Sequence, residues 1–395
     1  MDLTHHLLDT TLRDGEQGVG IALSIEDKLA IHKQLFNMGV RRFELGCPAM
    51  GGQELEAIQE IVRRDSLSEL SVWCRACEKD LVAALGTGVQ VIHTSFPTSP
   101  LQRKVWGWDF LRCYEALDRL SEVVGSSGCM WSVGAQDASR ESLENLLNFG
   151  RRAQMRGAFR WRIADTVGAW SPLDVLRKIG ILKQELAGLQ IDFHGHNDLG
   201  MATANAVTAI AAGADMVSVT VGGIGERSGN AALEEVAVAL VQGDDPQALH
   251  TLVEHGGPKY GIDFAQMTSC CRSVAKIMGR SLPAHKPIVG ARIFEHESGI
   301  HCAGLLNDNR SYNLISPEAV GGPSAVLALG KHSGRQGLRF VLESLRLYYS
   351  REIEMELLAS IQNFAIEHRR SPEREEIRLL ISTLESSRQP SSIPC

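Results

Sequence analysis

The chain has 395 residues, of which 44% are hydrophobic, and it carries a formal net charge of −7 at pH 7. This length and apolar content suffice for one large domain and a smaller one. The mild acidity and the lack of a basic stripe argue against a nucleic-acid partner. No apolar run approaches the ~20 residues that span a bilayer, and the amino terminus lacks the basic and apolar regions of a signal peptide. We therefore expect a cytoplasmic protein with no membrane partner.

Short β-like runs alternate with longer helical segments over roughly the first two-thirds of the chain. The runs are residues 6–9, 42–45, 70–73, 89–93, 130–133, 159–163, 189–193 and 216–220. Helical signals lie between them. The segment from Ser24 to Met38 is amphipathic, Ser171 and Pro172 supply an N-cap and a first-turn proline, and Gly39 follows a helix end. Eight β–α units in roughly 240 residues predict a TIM (β/α)8 barrel.

A polar motif, DTTLRDGEQ, follows the first predicted strand at residues 9–17. Asp14 is an oxygen donor suited to a hard divalent cation, and Arg13 beside it is a permanent cation with a planar fork of donors. Gly15 permits a tight turn that exposes both. Taken alone, the motif also fits a polar turn held by a salt bridge.

One pair of cysteines, Cys74 and Cys77, forms a CxxC motif among nine cysteines without regular spacing. A redox or zinc role is one interpretation of this motif. The sequence has neither a second CxxC nor a histidine cluster beside it, and an odd cysteine count favours free thiols in a reducing compartment. We therefore interpret the pair as structural.

Two histidines, His194 and His196, follow the seventh predicted strand. A strand points alternate side chains to the same face, so both imidazoles can aim at one point. They are either metal ligands or histidines that hydrogen-bond to neighbours at a strand end. Catalytic groups of a TIM barrel lie at the carboxyl ends of its strands, which is where Asp14, Glu44, Thr166 and both histidines fall. Two histidines and a carboxylate are a common ligand set with open positions, so this agreement predicts a metal site.

The pattern changes in the last third of the chain. A helical stretch from His250 to Gly279 leads to a proline-containing linker at residues 283–287. We expect two charged amphipathic helices between Arg335 and Ile381, and a frayed end from Ser386 to Cys395. The chain therefore divides into a catalytic barrel domain over residues 1–275 and a linker with a smaller, mainly helical C-terminal region over residues 276–395.

Four segments, LLDTTLRDGEQ, FHGHNDLGMATANAV, GGIGERSGNAALEEV and HESGIH, resemble the family of isopropylmalate and homocitrate synthases. These are metal-dependent Claisen-condensing enzymes on a TIM barrel, and the similarity runs from about residue 6 to about residue 335. The segments GCPAMGG, VWCRAC, HTSFPTS, GAQDASR and RIADTVG look most like homocitrate synthases of the nitrogen-fixation type. That branch makes the organic ligand of the nitrogenase iron–molybdenum cofactor.

The resemblance implies an acyltransferase that condenses acetyl-CoA with 2-oxoglutarate and hydrolyses the thioester to homocitrate and CoA. An isopropylmalate or citramalate synthase acting on another 2-oxo acid is the alternative. A lyase that shares the barrel and metal site is a rival from another reaction class, and a non-catalytic metal- or metabolite-binding protein is a third. The separate C-terminal region argues against the lyase, and Arg13 beside Asp14 argues against the binding protein.

The resemblance also implies a metal centre. Asp14, His194 and His196 would bind one divalent metal ion, Mg²⁺, Mn²⁺ or Zn²⁺, and Asn230 would join its outer shell. Arg13 would contact the oxygen of the keto acid, where an alkoxide develops.

Further residues would bind the substrate or complete the site from a partner. Thr166 would bind the carboxylate of the keto acid, and Gln17, Glu44 and Gln136 are other candidates, although relatives commonly carry Glu at the position of Gln136. The catalytic candidates from the smaller region are His301 and Tyr312. In the family that region reaches over the barrel of a partner subunit, so the resemblance implies a homodimer. His301 suits the base that deprotonates the acetyl-CoA methyl group, and a loop histidine in a helix-cap network is the alternative.

The distal carboxylate of 2-oxoglutarate needs a cation. Lysine-pathway relatives use a His and an Arg to bind this carboxylate. By a rough alignment, the corresponding positions in this chain are Trp73 and Ser132. Arg162 lies on the inward face of the sixth predicted strand. A buried arginine needs an anionic partner, which is either an internal carboxylate such as Glu44 or the substrate. The other candidates are Arg75 and His93.

Overall fold

The computed structural model describes residues 2–244 and 260–388. The chain divides into two compact units. The first comprises residues 1–283 with 287–289, and the second comprises residues 284–286 with 290–395. No helix within the described ranges is long and apolar enough to cross a membrane.

Eight parallel strands of the first unit form a closed barrel, in which neighbours in sequence pair and the last strand pairs with the first. The strands are β1 Leu7–Asp9, β2 Arg42–Glu44, β3 Glu69–Arg75, β4 Val91–Pro97, β5 Met130–Gln136, β6 Arg160–Asp165, β7 Gln190–Gly195 and β8 Met216–Val219. Every predicted run overlaps one strand, and the five strands from β3 to β7 extend further toward their carboxyl ends than predicted. The predicted TIM barrel is confirmed.

Helices follow the strands. They are α1 Ile25–Met38, α2 Gly52–Arg64, α3 Glu78–Leu85, α4 Pro100–Trp106, α5 Phe110–Gly125, α6 Leu143–Met155, α7 Pro172–Glu185, α8 Ala202–Ala211, α9 Leu233–Asp244 and α10 Met267–Ile277. The Ser24 hydroxyl and the Asp27 carboxylate form a capping box at the start of α1, and Gly39 ends this helix with φ 112°. Part of the predicted helical stretch at residues 250–279 forms α10, whereas residues 250–259 lie outside the described residues.

Side chains alternate along β6 between the helical layer and the barrel interior. Trp161 packs against α6, where a Cβ added to Gly150 would lie 2.6 Å from the indole ring. Arg160 and Arg162 are buried and pair with acidic side chains of other strands. The helical layer is therefore packed by apolar groups, while the barrel interior holds charges that require partners.

The second unit is mainly helical, as the sequence predicts. It contains a two-stranded parallel sheet, β9 Glu295–His296 and β10 Val326–Leu327, and the helices α11 Gly299–Asn307, α12 Arg335–Ser344, α13 Glu354–His368 and α14 Arg374–Ser386. Its apolar core is built from buried side chains of the last three helices, among them Leu338, Leu342, Leu357, Ile361 and Ile377.

The prediction of two helices between Arg335 and Ile381 is wrong, because three helices begin in this range. Arg346, with φ 54°, follows α12, and Arg369, also with φ 54°, ends α13. Left-handed backbone at arginine is uncommon. Because neither turn contains a glycine, the sequence gives no signal that a helix ends there. Residues 389–395 of the predicted frayed end lie outside the described residues.

Candidate metal centre and adjoining cavity

Asp14, His194 and His196 meet at the carboxyl end of the barrel. One ligand atom from each lies within 4.8 Å of the others, and all three side chains are buried. Asp14 Oδ2 is 3.0 Å from His194 Nε2 and 3.8 Å from His196 Nε2, and the two imidazole nitrogens are 3.3 Å apart. Within residues 2–244 and 260–388 this is the single group of three or more such side chains close enough to hold a metal ion.

Local backbone structure brings these ligand atoms together. Asp14 lies in a tight turn after β1, where the N–H groups of Arg13, Asp14 and Gly15 all donate to the carbonyl of Thr10 at 2.8–3.1 Å. The two histidines flank the last residue of β7, so strand alternation turns their rings to one side, with the ring planes 88° apart. The predicted convergence of the two motifs is present in the structure.

The protonation states of these groups suit metal ligation. Burial opposes ionisation of Asp14, but Arg13, whose Nη1 is 3.4 Å from Asp14 Oδ2, and the two histidines outweigh it and hold the pKa of Asp14 well below its ordinary value. Burial and the neighbouring His194 lower the pKa of His196 to about 4. A carboxylate and a neutral imidazole are the forms that bind metals.

Two buried oxygen atoms at this position lack a hydrogen bond of good geometry within the described part of the chain. Asp14 Oδ2 and Asn230 Oδ1 lack a hydrogen-bond partner among the described residues, although most buried polar atoms have one. Asn230 forms a backbone bridge with His196, and its Nδ2 donates to the carbonyl of Ile224 at 3.2 Å. The residues present therefore fit a divalent cation with one carboxylate, two imidazoles and a nearby amide oxygen.

Buried charges of alternating sign continue from Arg13 into the barrel. Arg13 Nε donates to Glu44 Oε1 at 2.5 Å, and Glu44 Oε2 lies 2.7 Å from Arg162 Nη1. Arg162 Nε in turn donates to Asp192 Oδ2 at 2.6 Å. Burial would raise the pKa of Glu44, but Arg13 and Arg162 keep it below its ordinary value. The sequence predicts that Arg162 pairs either with an internal carboxylate or with the substrate. The structure contains the internal pairs, with Glu44 and Asp192.

A cavity of about 240 Å³ opens beside the ligand cluster. Its lining contains most of the predicted site residues: Arg13, Asp14, Gln17, His93, Gln136, Arg162, Thr166, His194 and His196. Trp73, near whose ring the Arg13 guanidinium lies at 5.9 Å, also lines it. The site predicted at the ends of different strands is therefore one continuous space.

Two further lining residues, Glu226 and Arg227, were not predicted as site residues. Arg227, at φ 54°, donates to Asp198 Oδ1 at 2.8 Å and to the carbonyl of Thr166 at 2.6 Å. Both residues belong to the GERSGN segment after β8. The position of this segment directly after a barrel strand could have identified both residues, because the functional groups of such barrels lie at the carboxyl ends of strands. The same rule pointed to Thr166.

Glu44, Asn230 and Arg75 do not line the cavity. Glu44 is fully buried behind Arg13, and Asn230 stands beside His196. The Arg75 guanidinium instead binds both oxygens of Asp80 at 2.8 and 2.9 Å, and its side chain is 67% exposed. Arg75 is therefore withdrawn as a candidate for the distal carboxylate.

His93 is the buried imidazole on the far wall of the cavity. Its Nδ1 lies 2.8 Å from Ser132 Oγ, and a Cβ added to Gly134 would lie 2.6 Å from its Nε2. Burial and the positive charge of Arg162 hold the pKa of His93 well below its ordinary value. His93 is therefore a neutral hydrogen-bonding group in this structure.

His301 and Tyr312 lie together in the second unit. Their rings stack with centroids 4.1 Å apart and planes 24° apart, and His296 is the next ring, 6.4 Å from His301. Both side chains are exposed on this unit. These two residues, which lie eleven positions apart in the sequence, are thus in direct contact.

The CxxC cysteines remain thiols. All eight described cysteines are free. Cys74 Sγ donates to the Asp80 carbonyl at 3.6 Å, and Cys77 Sγ donates to Asp80 Oδ1 at 3.3 Å. Burial raises the pKa of Cys74, so both thiols pack around Asp80 as structural groups.

The chain is similar to known proteins over most of its length. Residues 4–270 match the family described as HMGL-like, and residues 288–369 match one described as homocitrate synthase post-HMGL domain-like. The chain is 37% identical to homocitrate synthase 1 of Nostoc sp. over 94% of its length and 96% of the relative, and 36% identical to 2-isopropylmalate synthase 2 of Caldanaerobacter subterraneus over 92% of each chain. The solved HMG-CoA lyase of Bacillus subtilis superposes with a TM-score of 0.60 at 20% identity, covering 71% of this chain and 95% of the lyase. The lyase likeness supports the fold.

Proposed function

The chain belongs to the HMGL-like family, in the branch of the homocitrate and isopropylmalate synthases, and from that premise we propose that it condenses acetyl-CoA with a 2-oxo acid. We propose 2-oxoglutarate as the acid, with thioester hydrolysis yielding homocitrate and CoA. The observation that carries this proposal is the buried cluster of Asp14, His194 and His196 with Arg13 beside it, at the wall of a cavity. Relatives named homocitrate synthase support the choice of acid.

Asp14, His194 and His196 would hold one divalent ion, Mg²⁺, Mn²⁺ or Zn²⁺, with Asn230 in its outer shell. When bound, such an ion acts as a Lewis acid that polarises the keto group of the acid. Arg13 then supplies a fixed positive charge where negative charge develops on the keto oxygen. Glu44 holds the Arg13 guanidinium in place through the 2.5 Å hydrogen bond, so no reorganisation is needed when the charge appears.

Thr166 suits the C1 carboxylate of the acid. Its Oγ1 accepts a hydrogen bond from the Asp137 N–H at 2.9 Å. A hydroxyl has one proton to donate. Because the Thr166 hydroxyl only accepts in its hydrogen bond with the Asp137 N–H, its own proton remains available to a carboxylate in the cavity. Gln17 and Gln136 line the same space and offer amide hydrogen bonds. Gln136 cannot transfer a proton, so we assign it to binding.

Deprotonation of the acetyl-CoA methyl group needs a base that titrates near neutral pH. Two cavity histidines are metal ligands in this proposal, and His93 is a buried neutral group. On the resemblance to the synthase family, we assign the base to His301, with Tyr312 stacked on it, contributed by one protomer of a homodimer to the barrel of its partner. The exposure of both rings on their own unit supports this assignment.

Arg162 is our candidate for the distal carboxylate of 2-oxoglutarate. A guanidinium has five N–H donors. Arg162 uses Nε in its hydrogen bond to Asp192, while its Nη1 forms no hydrogen bond of good geometry despite the nearby Glu44. Because Arg162 also lines the cavity, donors remain for a ligand there, either directly or through water. His93, which lines the same cavity, is the second candidate, and as a neutral imidazole it would offer the distal carboxylate an N–H donor and not a positive charge.

One observation favours the alternative acids. The positive charges of Arg13 and Arg162 are matched by the buried carboxylates of Glu44 and Asp192, so these four groups leave no surplus positive charge for a second carboxylate. A 2-oxo acid with an apolar tail, as used by isopropylmalate or citramalate synthases, needs none. Trp73 offers such a tail an apolar surface.

A thiol-release assay separates these candidates. The protein is stripped of metal, reloaded with Mg²⁺, Mn²⁺ or Zn²⁺, and supplied with acetyl-CoA and either 2-oxoglutarate, 2-oxoisovalerate or pyruvate. The highest kcat/KM for 2-oxoglutarate supports homocitrate synthesis. We propose separately that this homocitrate is made in the cytoplasm and supplies the nitrogenase iron–molybdenum cofactor. The highest value for 2-oxoisovalerate or pyruvate selects the isopropylmalate or citramalate alternative. No CoA release with any acid contradicts the condensation.

A further inference from the structure

Lys28 is a buried charge that the proposed chemistry does not use. It lies on α1, is 1% exposed and does not line the cavity. A buried ammonium group is costly unless it is paired and hydrogen-bonded. Two carboxylates pair with it: Glu16 Oε2 at 2.7 Å and Glu54 Oε2 at 2.5 Å from Nζ.

The same ammonium group binds the backbone on both sides of the Arg13–Glu44 pair. Lys28 Nζ donates to the carbonyl of Leu12 at 3.2 Å and to the carbonyl of Leu45 at 3.5 Å. Leu12 immediately precedes Arg13, and Leu45 immediately follows Glu44. One charged group thus joins the two chain segments at the residues that flank the catalytic ion pair.

The two carboxylates extend this attachment along each segment. Glu16 Oε1 accepts a hydrogen bond from the Leu23 N–H at 3.0 Å, and Glu54 Oε1 accepts one from the Cys47 N–H at 2.8 Å. At Gly46, with φ 154°, an added Cβ would lie 1.9 Å from Glu54 Oε1. Only glycine permits this close approach, so the segment after β2 is shaped around Glu54.

We infer that Lys28, with Glu16 and Glu54, is a positioning residue for Arg13. It fixes the spacing between the turn that carries Arg13 and the strand end that carries Glu44, without touching substrate. The inference rests on the proposed function, in which Arg13 acts on the 2-oxo acid. A misplacement of about 1 Å at a reacting centre costs about 100-fold in rate, so loss of this attachment lowers kcat.

A compensated variant tests the inference without leaving buried carboxylates unpaired. In Lys28→Met/Glu16→Gln/Glu54→Gln, the amide oxygens of both glutamines still accept the hydrogen bonds from Leu23 and Cys47. We expect a melting temperature within about 5 °C of wild type. We expect kcat to fall about 50-fold, while KM for the 2-oxo acid changes less than about threefold. Calorimetric titration should show the Kd for Mn²⁺ rising about tenfold, because the turn that carries Arg13 also supplies a metal ligand.

The matched control is a second buried pair that involves α1. His32 Nε2 of α1 lies 3.1 Å from Asp65 Oδ2 at the end of α2. Asp65→Asn removes this charge but keeps the His32 ring on Phe43 of β2, where the centroids are 4.6 Å apart, so it changes stability and leaves kcat and Mn²⁺ affinity as in wild type. If the folded triple variant keeps kcat and Mn²⁺ affinity within about threefold of wild type, Lys28 has a structural role alone and the inference fails. If wild type releases no CoA with any 2-oxo acid, the proposed function fails, and the Mn²⁺ titration then decides the role of Lys28 by itself.

Discussion

Replacing Arg162 tests how the cavity selects its acid. In Arg162→Met, Glu44 keeps Arg13 as a partner, but Asp192 loses its ion pair. Among the described residues, Asp192 then retains the hydroxyl of Ser218, 3.1 Å away, as its side-chain donor. Removing one partner of a buried ion pair costs about 3–5 kcal/mol of stability. This loss of stability arises in the enzyme before any substrate binds. Its effect on activity is therefore the same for every substrate.

The substrate-specific part of the loss is separate. If Arg162 donates to the distal carboxylate, removing it costs roughly 2–5 kcal/mol of binding for 2-oxoglutarate alone. This corresponds to a loss of at least about 30-fold in kcat/KM. A monocarboxylate such as 2-oxoisovalerate loses none of it, so the ratio of the two kcat/KM values changes by that factor.

The assay compares kcat/KM of wild type, Arg162→Met and Arg162→Met/Asp192→Asn for 2-oxoglutarate, 2-oxobutyrate and 2-oxoisovalerate. The double variant removes one charge of each sign, so it recovers stability while the donor for the substrate stays absent. We expect the selective loss on 2-oxoglutarate in both variants. An equal loss on all three acids refutes the assignment, makes Arg162 an internal ion-pair residue and leaves His93 as the candidate.

Three further predictions concern the metal, the second unit and pH. His194→Ala should abolish CoA release and Mn²⁺ binding while circular dichroism shows a folded barrel, and full turnover by this variant contradicts the metal site. His301→Ala and Arg13→Ala should each be nearly inactive, yet a mixture that exchanges subunits should regain activity through one intact hybrid site, whereas no recovery despite proven exchange assigns His301 to its own barrel. Burial raises the pKa of Asp9 to about 7 from an ordinary 3.8. The folded protein therefore favours the protonated carboxyl group more than the unfolded chain does. The unfolding free energy should fall by at most about 4 kcal/mol as pH rises from about 4 through 7, where only the folded protein keeps this proton. Urea unfolding at pH 5 and pH 8 checks this, and Asp9→Asn should remove most of the difference; an unchanged slope in Asp9→Asn excludes Asp9 as its source.

The barrel and the ligand cluster could be predicted because local patterns encode them. Each strand is a short β-like run, and the rule that active sites lie at the carboxyl ends of strands predicts that Asp14 and the two histidines lie together. Strand alternation then fixed the orientation of His194 and His196. No long-range information was required beyond the order of the eight strands.

Other features depend on pairs far apart in sequence. Lys28 occupies a position in α1 that resembles the polar face of an amphipathic helix. Its burial is explained by two carboxylates, Glu16 before α1 and Glu54 on the next helix. The pair of Arg75 and Asp80 is local, with the two residues five positions apart, but it depends on the turn from β3 into α3, which the strand pattern does not specify. The turns at Arg346 and Arg369 carry no glycine, so the left-handed backbone there is set by the packing of the helices around them.

The most direct test of the account is a metal titration of the chelator-treated enzyme. Mn²⁺ is added stepwise while CoA release from acetyl-CoA and 2-oxoglutarate is followed. The account predicts that activity is absent from the stripped enzyme, rises in proportion to bound metal and saturates near one ion per chain, as expected for the single cluster of Asp14, His194 and His196 in the described residues. Full CoA release by the stripped enzyme would contradict the account. So would a Mn²⁺ affinity of His194→Ala equal to that of wild type, because the activating ion would then bind elsewhere.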